Sequence, residues 1–431
     1  MIAKLRQINQ NINPYGGILF CINEIRNIGI PTLIDKNLGK RVKQAKYKYS
    51  DVALSWIYST LCGSERIEDT KHLKSYLSEI PNNLHPSPDR IAHIFKHFAT
   101  PTIHFKENRV RHEFNYNLPM NRLMVDVALK LKLLNQKTEH IMDYDNIIIP
   151  CEKYDSKYTY KMCDGYSPGV AFIGKCPVYI EGRNGNSNVR YRMVETLQQV
   201  FDLMQEKNIK IKTFRSDAGS YAKNVIAFLE NKKVEFFIRA QNCYQMMAKS
   251  SDLIDWKKVR IGGQLCETTS INYTLADGNT YRVVITKTKS DDRMFRNKHT
   301  HDKCLYRGII TNNDIMTDEQ VVQFYNHRGA METNFTQLLN DWNWKRLPFS
   351  FLNQNVVFMI MGAIGNMIYR YIIKKFSKKV PFVRSTYRLK NFIFHFITVS
   401  LQWIVEQKEK IPIIYGDRDY SKLIIASHPL D

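Results

Sequence analysis

Residues 192–207, RMVETLQQVFDLMQEK, repeat apolar side chains at i, i+3, i+4 and i+7, and predict an amphipathic helix. Around it the pattern alternates between strand and helix. EHIMDYDNIIIP (139–150) predicts a strand. GVAFIGKCPVYIEGRNGNS (169–187) predicts a hairpin turned through Gly174-Lys175. IKIKTFRSDAGS (209–220) predicts a strand running into a turn, AKNVIAFLENKK (222–233) a helix and VEFFIRA (234–240) a strand. Strand, hairpin, helix, strand, helix, strand describes a mixed α/β sheet.

The flanks follow other rhythms. From 241 to about 315 alternation dominates: TTSINYTLADGNTYRVVITKTK (268–289) reads as two strands turned at Asp277-Gly278, and CLYRGIITNN (304–313) as another, which predicts an all-β insertion. Helical spacing returns with FYNHRGAMETNF (324–335). The first 115 residues or so read as mostly helical, with DVALSWIYSTLCG (51–63) ending in Gly and HPSPDRIAHIFKHFA (85–99) opening with Ser87 as a cap, Pro88 in the first turn and Ile91, Ile94, Phe95 and Phe98 on one face. Such a pair fits a helix-turn-helix reader, but on pattern alone a small helical bundle fits better. The expected regions are a helical DNA-binding segment 1–130, a first part of the core 131–240, the insertion 241–315, a second part of the core 316–375, and a basic helical region 376–431.

Charge narrows the partners. Sixty-three Lys and Arg against 41 Asp and Glu give +22, spread along the whole chain, which points to a polyanion: nucleic acid first, an anionic membrane surface second. The most apolar run, VVFMIMGAIG (356–365), is shorter than a bilayer requires and predicts a buried helix, so no membrane partner is expected. The start lacks the continuous apolar core of a secretory signal. Eight cysteines without a CxxC pair suit a reducing compartment, and a cytoplasmic location is expected. KHTHDKC (298–304) offers His299, His301, Asp302 and Cys304 to zinc, but without a second cluster it reads as a polar loop. RYIIKKFSKKVPFVRSTYRLK (370–390) suits a DNA backbone or a solvated helical face alike.

Candidate chemistry lies in widely separated acids. Asp143 and Asp145 are two apart in a strand and share a face. Asp217 ends a later strand, just before Ala218-Gly219-Ser220. Glu332 lies on the helix after the insertion, where Tyr325 and Arg328 share its face and Arg328 and Glu332 stand at i, i+4. The bland reading is turn caps and a surface ion pair. Brought together by folding, the same acids repel unless a divalent cation sits among them, and two such ions activate water or a 3′-hydroxyl toward a phosphodiester. A basic chain brings the polyanion. Arg328 could clamp a phosphate with its planar fork.

Tyr325-x-x-Arg328-x-x-x-Glu332 after a β-rich insertion resembles the signature of DDE transposases of the IS4-like group, and most closely the IS1380 family. MDYDN is similar to that family's first-aspartate strand, FRSDAGSYAKNVIAFLENKKVEFFIRA to its second-aspartate segment, and GSERIEDTKHL (63–73) and PSPDRIAHIF (86–95) to its N-terminal segment. The resemblance implies an RNase H-like catalytic core in which Asp145, Asp217 and Glu332 bind the metal, Mg²⁺ with Mn²⁺ able to substitute, and Tyr325 and Arg328 contact phosphates near the cut. Asp143 remains the alternative to Asp145 as first acid. The group's helix often carries Lys seven residues after the Glu; here Leu339 stands there, and Lys345 or Arg346 is expected to supply the DNA contact. The implied activity is binding of terminal inverted repeats, cleavage with metal-activated water, and joining of 3′-hydroxyl ends to target double-stranded DNA, in a homodimer or larger assembly. A catalytically dead repressor and a nuclease without strand transfer are the other readings.

Overall fold

Apolar residues at helical spacing fold the N-terminal part into α1 (Ile18–Asn27), α2 (Ile30–Leu38), α3 (Tyr49–Leu61), α4 (Thr70–Ser78) and α5 (Pro88–His97) in this computed structural model, which describes residues 11–107, 109–249, 254–292 and 294–424. The ends of the first and last predicted regions, 1–10 and 425–431, lie outside the described residues. Helix α3 starts two residues before the predicted stretch because the Asp51 carboxylate accepts the Lys48 amide at 2.7 Å. In α5 Pro88 occupies the first turn and Ile91, Ile94 and Phe95 are buried, as the pattern predicts, but the Ser87 side chain makes no capping hydrogen bond.

The helical reading of the first 130 residues is corrected at β1 (Ile103–Glu107) and β2 (Val110–Asn115), an antiparallel hairpin with Arg109 in the left-handed region (φ 66°). Alternation in IHFKE and VRHEFN overrides the surrounding helical bias. Helix α6 (Leu118–Lys130) follows, capped by Asn117, whose side chain accepts the Met120 amide.

The predicted α/β series forms β3 (Glu139–Asn146), a small three-stranded sheet of β4 (Ile149–Pro150), β5 (Lys157–Tyr158) and β6 (Asp164–Tyr166), then β7 (Gly169–Ile173), β8 (Cys176–Arg183), α7 (Met193–Glu206), β9 (Lys210–Ser216), α8 (Lys223–Asn231) and β10 (Glu235–Ala240). Next come α9 (Cys243–Lys249), β11 (Lys257–Ile261), β12 (Gln264–Thr274), β13 (Thr280–Lys289), β14 (Cys304–Thr311), α10 (Asp318–Asn326), α11 (Ala330–Asp341), α12 (Leu352–Phe376), α13 (Leu389–Phe392), β15 (Ser400–Glu406) and β16 (Glu409–Tyr415).

Two compact units emerge. One draws on residues up to Thr100, on Asn117–Leu133 and on Thr336 onward; the other on Pro101–Tyr116 and Leu134–Phe335. The second unit holds an 11-stranded mixed sheet in the order β1-β2-β8-β7-β3-β9-β10-β14-β13-β12-β11. Strands β3, β9 and β10 run parallel, and their neighbours on both sides are antiparallel. The segment expected as an all-β insertion contains α9, and its strands continue the main sheet through β14 against β10. Under β7 and β8 the fully buried Arg183 bonds Glu181 at 2.5 Å, the Thr196 hydroxyl, and the carbonyls of Asn188, Val189 and Tyr191, which ties the strand to the start of α7.

The first unit is built around α12. Its 25 residues are apolar enough for a membrane span by length and composition, yet 89% of its apolar window is buried, in keeping with a core helix. Gly365 admits Trp342 so closely that a β-carbon there would lie 2.1 Å from the indole ring. The C-terminal region, expected to be helical, carries the antiparallel hairpin β15–β16 instead; Gln407 and Lys408, both at positive φ, form its turn between alternating strands.

Candidate active site

Register builds the site. Parallel pairing sets Asp143 beside Arg215 and Tyr144 beside Ser216, so Asp145 and Asp217 follow as the next rung, side by side at the carboxyl ends of adjacent strands β3 and β9. Such ends, in open α/β sheets, are where ligands bind. Asp143, Asp145, Arg215 and Asp217 share one face by the period of two, and α10 packs on that face.

The two acids of β3 lead different lives. Asp143 is 4% exposed and accepts both arms of Arg215, Nε at 2.7 Å and Nη2 at 2.8 Å, while Arg215 Nη1 donates to the Phe324 carbonyl of α10 at 2.7 Å. Its oxygens are committed to locking helix onto sheet. Asp145 is half-buried and meets Arg328 Nη2 at 2.7 Å and its neighbour's amide, Asn146 N, at 2.9 Å. Burial, which outweighs the nearby Arg328 guanidinium, and the charge of Asp217 push the Asp145 carboxyl up to about 6. Two carboxylates near enough to disturb each other in a partly dry site are what a divalent cation relieves.

Asp217 caps the turn that follows it, accepting the Gly219 amide at 2.8 Å. Gly219 has no room for a side chain: a β-carbon would fall 2.8 Å from Asp217 Oδ1 and 2.9 Å from Val189. Arg190 and Gln241 each donate to the Ala218 carbonyl at 3.2 Å, and the Ser216 hydroxyl donates to the Tyr144 carbonyl at 3.1 Å, so the turn is held from three sides. Tyr325 donates its hydroxyl to the Ser216 carbonyl at 3.3 Å, and burial raises its phenol above the ordinary range.

Of the predicted residues, Asp145, Asp217, Tyr325 and Arg328 meet here; Arg328 pairs across to Asp145 rather than along the helix to Glu332, and its Nε is buried without a partner among the described residues. The helix itself is broken at His327–Gly329 by a 3₁₀ turn, which re-aims Arg328. Glu332 stands exposed in the first turn of α11, and among the described residues no three metal-capable side chains converge. Asp145 and Asp217 thus fit a divalent cation, whereas Glu332 is not drawn in beside them. Lys345 and Arg346 belong to the other unit, Lys345 exposed and Arg346 paired with Glu65. His299 stacks on Tyr244 at 3.6 Å between centroids, and 298–304 forms no metal cluster among the described residues. Sequence reasoning missed Arg215, whose signal was the parallel register opposite Asp143, and Arg239 and Arg307, which line the cleft beside Asp217.

The profile of the family described as Transposase DDE domain group 1 matches residues 9–399. A cryo-EM structure of a piggyBac transposase synaptic complex with hairpin DNA is similar at 12% identity and a TM-score of 0.38, covering 91% of this chain and 82% of that one. No curated protein sequence matches.

Proposed function

We propose that this chain, which belongs to the Transposase DDE domain group 1 family, is the transposase of an IS4-like insertion sequence of the IS1380 type, with an RNase H-like core that cuts and joins DNA at Asp145 and Asp217. The observation that carries the reading is the pairing of those two acids at the ends of parallel strands, with Arg328 over them and a net charge of +22 in the chain. Asp145 and Asp217 would hold Mg²⁺ or Mn²⁺; Glu332, which stands apart from them in this structure, would have to move in beside them to serve as the third acid that the resemblance implies. When bound there, the metal would supply Lewis-acid activation of the attacking oxygen and charge relief on the leaving oxygen.

The protein's own residues do the remaining work. Arg328, released from Asp145, turns its planar fork and its partnerless Nε to a phosphate oxygen. Tyr325 and the Arg215–Phe324 bond fix the end of α10, and therefore Arg328, relative to the acids. In cleavage the water oxygen loses a proton to solvent and bonds to phosphorus, the P–O3′ bond breaks, and the leaving O3′ takes a proton from solvent, leaving a 3′-hydroxyl and a 5′-phosphate. In joining, that 3′-hydroxyl attacks a target phosphodiester and a second 3′-hydroxyl leaves. The partners are the terminal inverted repeats and target DNA, handled by a homodimer in the cytoplasm.

The test incubates purified protein with linear DNA carrying the ends of its element, with Mg²⁺ or EDTA, beside Glu332→Gln and Asp217→Asn. Cutting at the element boundary that needs the metal and both acids supports the reading. Specific binding without cutting by the wild type supports a repressor, and cutting without joining supports a nuclease.

A further inference from the structure

One face of the sheet changes character along its strands. Beneath α10 it is apolar: Phe237 of β10, Ile309 of β14 and Val284 of β13 pack with Val321, Val322 and Tyr325. Two residues further along each strand, on the same face, stand Arg239, Arg307 and Thr286, with Thr288 beyond. Here α10 has ended and the floor is open. A cleft of about 460 Å³ remains, bounded by Asp217 and Arg328 on one side and by β12 and β13 on the other.

Neither Arg239 nor Arg307 has a carboxylate partner among the described residues; Arg239 lies over the Tyr325 ring at 5.8 Å. Burial, deepened by the like charges of Arg307 and Arg328, lowers the Arg239 guanidinium from its ordinary range. Desolvating the Arg239 guanidinium beside the like charges of Arg307 and Arg328, with no carboxylate bonded to it among the described residues, is costly unless an anion completes it. Apolar Ile309 and Val322 and the Tyr325 ring line the same space, so a flat group accompanying the anion would also find a surface.

We propose that Arg239 and Arg307 form a phosphate subsite for the DNA strand beside the cut, seating one nucleotide that flanks the scissile phosphodiester in the cleft between α10 and β13. The subsite rests on the DNA-cutting reading above. Its work is positioning: a phosphate fixed next to Asp217 sets the register of the reacting bond.

The experiment measures binding and single-turnover cutting of an element-end duplex in which each phosphate near the cut is replaced, one at a time, by a neutral methylphosphonate. Wild type, Arg307→Ala, Arg239→Ala and Arg307→Lys are compared, with circular dichroism and urea unfolding to establish folding; Arg307 is exposed, so its variants should fold. One methylphosphonate position is expected to weaken wild-type binding about tenfold and to have no further effect in Arg307→Ala, with Arg307→Lys recovering part of the loss. If both alanine variants fold, bind and cut like wild type, or if no methylphosphonate loses its effect in them, the subsite is wrong while the DNA-cutting reading stands. If the wild type neither binds nor cuts the duplex, that reading falls and the subsite with it.

Discussion

Replacing Asp143 and replacing Asp145 should have opposite consequences, although the two acids share a strand face. Asp143 and Arg215 are joined by two bonds of 2.7 and 2.8 Å, with side chains only 5% and 8% exposed. Asp143→Ala strands a buried guanidinium, and breaking one partner of a buried pair costs about 3–5 kcal/mol. Asp143→Ala/Arg215→Met removes the orphaned charge and should recover part of that loss, but not all, because the Phe324 carbonyl then loses its 2.7 Å donor, worth about 1–3 kcal/mol when left dry. Asp145 is different. Its ionised form is already disfavoured by burial and by Asp217, so Asp145→Asn should change stability by no more than about 1 kcal/mol while lowering metal-dependent cutting at least about a hundredfold. Urea unfolding followed by tryptophan fluorescence gives the stabilities, and single-turnover cutting per folded molecule gives the activities. If Asp143→Ala unfolds within 1 kcal/mol of wild type, or if Asp143→Asn folds normally but cannot cut while Asp145→Asn can, the roles assigned to the two acids are exchanged.

Other perturbations test other parts of the structure. Gly219→Ala pushes on the Asp217 carboxylate and should lower cutting by roughly a hundredfold with little change in melting temperature; unchanged cutting would free Asp217 from its turn. Gly365→Ala drives a methyl into Trp342 and should destabilise by about 1–3 kcal/mol in urea unfolding, with near-UV circular dichroism reporting the displaced indole. Burial holds the His85 imidazole down to about 4, below its unfolded value, so its contribution is complete above about pH 6.5 and is lost as pH falls toward 4. Wild type should therefore lose roughly 2–3 kcal/mol more than His85→Leu between pH 7.5 and 4.5, and parallel pH profiles would refute it. Affinity for DNA should fall with salt at a log–log slope of about −0.9 per phosphate neutralised, and a flat line would exclude a phosphate-dominated interface.

What could be read from the sequence was what local period controls. The helix at 192–207, the hairpin turned at Gly174 and the strand ending at Asp217 all announce themselves through spacing, because each buries one face. The β1–β2 and β15–β16 hairpins also alternate, but so briefly and with so many charged residues that the helical or basic character of their neighbourhoods hid them. Nor could the β-rich segment be seen to extend the main sheet, since strand pairing between β10 and β14 joins residues about 70 apart and leaves no local trace.

The site shows the same division more sharply. A strand that places Asp143 and Asp145 on one face offers two equivalent acids, and nothing within that strand separates them. The separation comes from β9: parallel register puts Arg215 beside the first and Asp217 beside the second. One neighbour neutralises its acid, and the other adds a second negative charge to it. The same two-residue step carried into β10 and β14 turns Phe237 into Arg239 and Ile309 into Arg307, and because Arg239 pairs with Ile309 the line between the covered, apolar part and the open, basic part crosses the strands obliquely. Chemistry at this face is thus decided by where α10 stops. Ending at Asn326, with Arg215 holding the Phe324 carbonyl of its last turn, the helix leaves uncovered the positions of Asp145, Asp217, Arg239 and Arg307. Lengthening α10 by a turn, through replacement of His327 and Gly329 by alanine with Arg328 kept, should therefore cover the acids and abolish DNA cutting while raising helicity. Retained cutting in such a variant would mean that the uncovered rungs are not where the DNA is held.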